Sequence, residues 1–125
     1  MGYYTKFEMD FTGNATEADI IAALKEINPN YFDCDADHLD TLFEEEMKWY
    51  DATSDMIKLS ERFPNVLFEL SGKGEEYDDI WKEYYHNGAC QHCQGRIVFD
   101  EMDPAILGIS AIDLNFGKKE FTLMM

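Results

Sequence analysis

Asn87-Gly88 stands between two runs rich in aromatic and β-branched residues, Ile80–Tyr85 and Ala89–Phe99, with His86 leading into it. A two-residue type I′ turn demands positive φ at both central positions, and Asn and Gly tolerate it better than other residues. Asn-Gly in that setting is the strongest short-range hairpin signal, so the chain is committed to an antiparallel strand pair there. Whatever else it folds into must build on that pair.

The rest of the chain supplies strands and helices for such a sheet. Residues 3–12 alternate, with Tyr3, Thr5, Phe7, Met9 and Phe11 on one face and Tyr4, Lys6, Glu8, Asp10 and Thr12 on the other, which predicts a half-buried strand. Thr16 is placed to cap a helix with Glu17 and Asp19 in its first turn. Ile20, Ile21, Ala23, Leu24 and Ile27 form its apolar stripe, and Asn28-Pro29-Asn30 ends it. Residues 31–47 read as an ordered acidic loop running into a short strand over Glu45–Tyr50. A second helix is expected from a cap at Thr53 or Ser54, through Met56, Ile57, Leu59, Ser60 and Phe63, to Pro64. Val66–Ser71 then reads as a strand and Gly72–Asp79 as an acidic turn.

This order, β-α-β-α-β-β-β, predicts an α+β fold: a mostly antiparallel sheet with two helices on one face and an acidic insertion after the first helix. A ferredoxin-like, split βαβ arrangement fits it best. Residues 1–104 form one α+β domain, and 105–125, after Asp103-Pro104, read as a C-terminal hairpin or extension.

Three segments, GYYTKFEM, KWYDATSDMIKLSERFPNVLFELSG and GEEYDDIWKEYYHNGACQ with RIVFDEMDP after it, resemble small phage and prophage proteins with a ferredoxin-like, Api92-like domain. The resemblance covers roughly 3–12 and 48–104, and leaves the acidic segment 31–46 and the tail outside. It implies a fold and a phage setting, hence a host-cell cytoplasm, and carries no catalytic residue.

Charge narrows the function further. Ten Lys and Arg face 26 Asp and Glu, for a net charge of -16. Such a chain repels nucleic acid and anionic membranes, and its partners are expected to be basic surfaces. No run approaches the roughly 18 apolar residues of a membrane span, and the first residues lack the basic and apolar regions of a signal peptide. Three Cys, an odd number, argue against a disulfide framework and for a reducing cytoplasm.

Five kinds of chemistry can be weighed against the residues. Asp33, Asp35, Asp37 and Glu44 have the one-three-five-twelve spacing of a calcium loop, but His38 stands where its sharp turn needs Gly. Cys90 and Cys93 have CxxC spacing, and Cys34 and His38 could complete a zinc set. On a regular strand, however, the two thiols would face opposite sides. Catalysis finds no support: none of the hydrolase, metalloprotease, phosphate-loop or dinucleotide motifs occurs, and neither an enzyme nor a cofactor is implied. Direct nucleic-acid binding lacks a basic groove, Lys118-Lys119 being the only adjacent cation pair.

The acidity itself is the fifth. It concentrates in Asp33, Asp35, Asp37, Asp40, Glu44, Glu45 and Glu46, and again in Glu75, Glu76, Asp78 and Asp79. Carboxylates arrayed on one face can imitate the phosphate row of DNA and dock on a protein built to bind it. Tyr50, Tyr77 and Trp81 are the candidate aromatic anchors. The expected function is therefore inhibition of a basic, nucleic-acid-binding host defence factor, of the anti-CRISPR or anti-restriction type, by DNA mimicry. A metal-stabilised structural module is the alternative, and self-association into a homodimer stays open.

Overall fold

The computed structural model describes residues 2–109. In chain order it contains β1 (Lys6–Thr12), α1 (Glu17–Ile27), α2 (Leu39–Leu42), α3 (Ala52–Arg62), β2 (Leu67–Lys73), β3 (Ile80–His86), β4 (Ala89–Gln94) and a last helical turn, α4 (Pro104–Leu107). The strands make one sheet in the order β1-β2-β3-β4, and every neighbouring pair is antiparallel. The α+β class and the antiparallel sheet thus stand as read from the sequence.

The strand order differs from the split βαβ order expected. The strand anticipated over Glu45–Tyr50 reduces to a single bridge between Thr5 and Met47, because the Tyr50 N–H turns back to the Lys48 carbonyl at 2.9 Å and ends the extended stretch. Without a strand there, α1, α2 and α3 follow one another directly. One crossover helix returns a chain for a parallel strand; two long helices return it for an antiparallel one, and β2 lies directly against β1.

The hairpin forms as the Asn-Gly signal requires, with φ of 43° at Asn87 and 88° at Gly88. Its second strand stops at Gln94, short of the expected Phe99, and Ile97, Val98 and Phe99 are exposed. The first helix starts where predicted: Thr16 Oγ1 accepts from the Asp19 N–H at 3.1 Å. The second helix starts at Ala52 with Asp51 as its cap residue, so Thr53 and Ser54 lie inside its first turn. Of the anticipated C-terminal hairpin or extension, only 105–109 fall within the described residues, and Ile106 and Leu107 are exposed there.

Phe7, Met9, Phe68, Leu70 and Tyr85 line the inner face of the sheet, and Ile20, Leu24, Met56 and Leu59 of α1 and α3 close over it in one apolar cluster. The acidic segment is part of this core. Its Phe32, Leu39, Leu42 and Phe43 are all buried, as is Trp49 just after it; Phe43 and Trp49 pack against Phe7 at ring separations of 6.5 and 5.3 Å, and Phe32 packs edge-on against Phe43 and Trp49 at 6.2 and 5.0 Å. Burying a large apolar side chain stabilises by about 1.5–3 kcal/mol. The acidic segment after α1 is therefore integral to the fold, its carboxylates interleaved with core aromatics.

Candidate protein-binding surface

The residues just before β1 act as a tie between distant parts of the chain. Thr5 and Met47 exchange both backbone hydrogen bonds, at 2.9 and 2.8 Å. The Tyr4 N–H donates to the Glu75 carboxylate at 2.6 Å. The Tyr3 hydroxyl donates to Asp79 at 2.6 Å and accepts from the Glu76 N–H at 3.2 Å, while the Tyr3 N–H donates to the Tyr50 hydroxyl at 2.8 Å. The bond to Asp79 pushes the Tyr3 phenol above its ordinary pKa. Lys48 sits 4.7 Å over the Tyr4 ring.

These contacts bring Glu44–Glu46, which run directly into Met47, and the Glu75–Asp79 turn to opposite sides of residues 3–5. Two acidic clusters far apart in sequence thus share one end of the molecule. Asp33, Asp35 and Asp37 are exposed in the loop before α2, and make no hydrogen bond or ion pair among the described residues. The loop is anchored at its far end by Glu17, whose carboxylate accepts from the Leu39 N–H at 2.9 Å and lies 3.4 Å from His38 Nδ1. The Leu39 bond, then the His38 contact, hold the Glu17 carboxyl below its usual pKa.

A groove of about 560 Å³ runs along the outer edge of β1, between the strand and α2. Lys6, Glu8, Asp10, Asp40 and Glu44 supply its polar lining, and Phe7, Met9, Leu39 and Phe43 its apolar part. The Lys6 ammonium donates to the Phe43 carbonyl. Alternation along residues 3–12 already placed Glu8 and Asp10 on the polar face, but nothing in the sequence marked β1 as an edge strand.

Tyr50 and Tyr77 are exposed at 70% and 78%, as anchors require. Trp81 is not: its ring packs edge-on against Phe7 at 6.0 Å and over the backbone of Gly72, its cross-strand neighbour. It completes the core at the sheet's end, and the exposed apolar residues nearby are instead Ile97, Val98 and Phe99.

The candidate metal ligands stay apart. Cys90 lies opposite Tyr85 and Cys93 opposite Lys82 in an unbroken ladder, so the two thiols face opposite sides of β4. Cys34 and His38 belong to the loop before α2, and no group of three or more candidate ligands gathers among the described residues.

On the inner face, beyond the helices, Glu83 bridges two groups: it accepts from the Tyr85 hydroxyl and lies 2.8 Å from His92 Nδ1. Burial, then the Glu83 contact, drives the Tyr85 phenol pKa up, and the Glu83 carboxylate raises that of His92. A carboxylate and an imidazole so paired can move a proton, but catalysis also needs an enclosed substrate site beside them. The His92 side chain is instead about half exposed on an open sheet.

No family model, curated protein or solved structure matches this chain. Its functional reading rests on the surface itself. No helix among the described residues is long and apolar enough to cross a membrane.

Proposed function

We propose that this protein works by binding another protein, docking its acidic end on a basic surface built to hold nucleic acid. The observation that carries the reading is the convergence of Glu44–Glu46 and Glu75–Asp79 around residues 3–5. Carboxylates on one end of a chain of net charge -16 steer it towards cationic clefts and away from phosphate backbones. Exposed Tyr50 and Tyr77, one bonded within this end and one in the acidic turn, supply flat amphipathic anchors. In its narrower form the proposal is a phage-encoded inhibitor of a host defence factor, of the anti-CRISPR or anti-restriction type, acting by DNA mimicry. Helices layered on an antiparallel sheet are compatible with the ferredoxin-like phage domains that the sequence resembles.

The test is competition. Titrated against a purified basic nuclease or DNA-binding effector, the protein should displace double-stranded DNA, with affinity falling steeply between about 50 and 200 mM salt. The triple change Glu44→Lys, Glu45→Lys, Glu46→Lys should abolish displacement while leaving the circular-dichroism spectrum intact, since all three side chains are exposed. Displacement indifferent to salt and to the triple change would overturn the proposal.

A further inference from the structure

We propose that the outer edge of β1 takes up an extended basic segment of the partner as a fifth strand of the sheet; this rests on the acidic-docking reading and gives it a mode of recognition. The argument begins with the Thr5–Met47 pair. Both Thr5 backbone groups point away from β2, towards Met47. Backbone direction alternates along an antiparallel strand, so Phe7, Met9 and Phe11 present their N–H and C=O groups to the same outer side. Among the described residues, none of the hydrogen bonds outside the sheet engages the backbone of these three residues. Met47 thus starts a fifth strand that the chain does not continue: residues 44–46 turn away into α2, where the Glu44 N–H bonds to the Thr41 carbonyl at 3.3 Å.

The row of unused groups lies along the groove of about 560 Å³. An unpaired edge is a template for strand addition. Its charge selects the occupant. Glu8 and Asp10 stand at alternate positions on the solvent face of β1, and Asp40 and Glu44 rise from the opposite wall. The cation of the groove, Lys6, is held by the Phe43 carbonyl. A strand laid there would place every second side chain beside Glu8 and Asp10, where Lys or Arg gains from cross-strand pairing. The recognised segment is therefore extended, with a basic residue at alternate positions and β-branched or small residues between. A second copy of this chain is disfavoured by its own charge of -16.

The experiment uses the full chain, labelled for amide NMR, and a synthetic nonapeptide alternating Lys with Val and Thr. With the peptide at about ten times its Kd, exchange of the Phe7 and Met9 amides should slow about tenfold. A peptide of the same composition with its lysines clustered, and one N-methylated at alternate amides on its bonding edge, should bind at least tenfold more weakly. Glu8→Lys with Asp10→Lys, both exposed, should weaken the alternating peptide by about tenfold. Unchanged Phe7 and Met9 exchange, equal binding of the clustered or N-methylated peptide, or tighter self-association in place of peptide binding would each overturn the strand site. The two proposals fail separately. If a basic effector binds with steep salt dependence but leaves the Phe7 and Met9 amides unprotected, the strand mode falls and the acidic-docking reading stands. If no basic effector binds while the peptide still protects those amides, the reverse holds.

Discussion

Asp55 accepts from the Trp49 indole N–H and the Asn28 side-chain amide, both at 2.8 Å, and among the described residues it is the only buried carboxylate. It ties the end of α1, the segment before α3 and α3 itself at a single oxygen. Removing a buried acceptor orphans its donors as well as losing the bonds. Asp55→Ala should therefore cost about 3 kcal/mol in urea unfolding, and Asp55→Asn about 1 kcal/mol, because the amide oxygen still accepts. Equal losses would show that shape, not the acceptor, matters at this position. His92 makes a second prediction. Glu83 raises its folded-state pKa, so the stability it contributes is present below the ordinary histidine pKa and is lost as pH rises through the folded value. An NMR titration should find His92 titrating above the ordinary histidine pKa, and Glu83→Gln should bring it back down. Neither network is legible in the sequence. Asp55 falls on the helix pattern as an unremarkable polar residue, and nothing in the spacing shows that the Trp49 indole folds back over it. The pairing of Glu83 with His92 depends on hairpin register, which becomes visible only once the turn type is fixed.

At the scale of elements, the Asn87-Gly88 turn was the most legible part of the fold because its chemistry is local. Gly88 has φ of 88°, and its N–H bonds to Ser60 Oγ at 2.9 Å, which fastens the hairpin tip to α3. Gly88→Ala should lower stability by about 1–2 kcal/mol through the positive φ, with the new Cβ also meeting the Glu61 side chain at 3.3 Å; a neutral result would mean that the turn relaxes to another type. Gly72 acts through space and not through dihedral freedom. A Cβ there would overlap the Trp81 indole, so Gly72→Val should unseat that ring and be read as a loss of protection in tryptophan-fluorescence quenching. Where reading of elements failed, the cause was non-local. Residues 45–50 have strand-like composition, but the sharp turn at Lys48–Tyr50 and the demand of Trp49 for the core leave room for one bridge. Val98 and Phe99 carry strong β-propensity, yet β3 begins at Ile80, opposite Gly95, so residues beyond 95 have no strand to pair with among the described residues.

For the molecule as a whole, charge could be counted from the sequence, but its arrangement could not. The first cluster looked like an addition to a scaffold; burial of Phe32, Leu39, Leu42 and Phe43 makes its segment part of the core, and residues 3–5 tie the end of that segment on one side and the Glu75–Asp79 turn on the other. So many like charges held together oppose the compact state. The melting temperature should therefore rise between about 10 and 500 mM sodium chloride as screening shortens the Debye length; a fall would show that attractive ion pairs dominate instead. The sequential sheet has a further consequence, for the order in which the protein assembles. β2, β3 and β4 are linked by short turns and can zip together through contacts close in sequence. β1 must wait until the entire helical stretch from α1 to α3 has been laid down before it finds β2. Local closures form early and distant ones late. Native-state hydrogen exchange should accordingly find the inward amides of Lys6, Glu8 and Asp10 opening at a lower free energy than those of the β2–β3 ladder. Departure of β1 is then the easiest partial unfolding, and it would pass the open edge of the sheet from β1 to β2, uncovering Phe68 and Leu70.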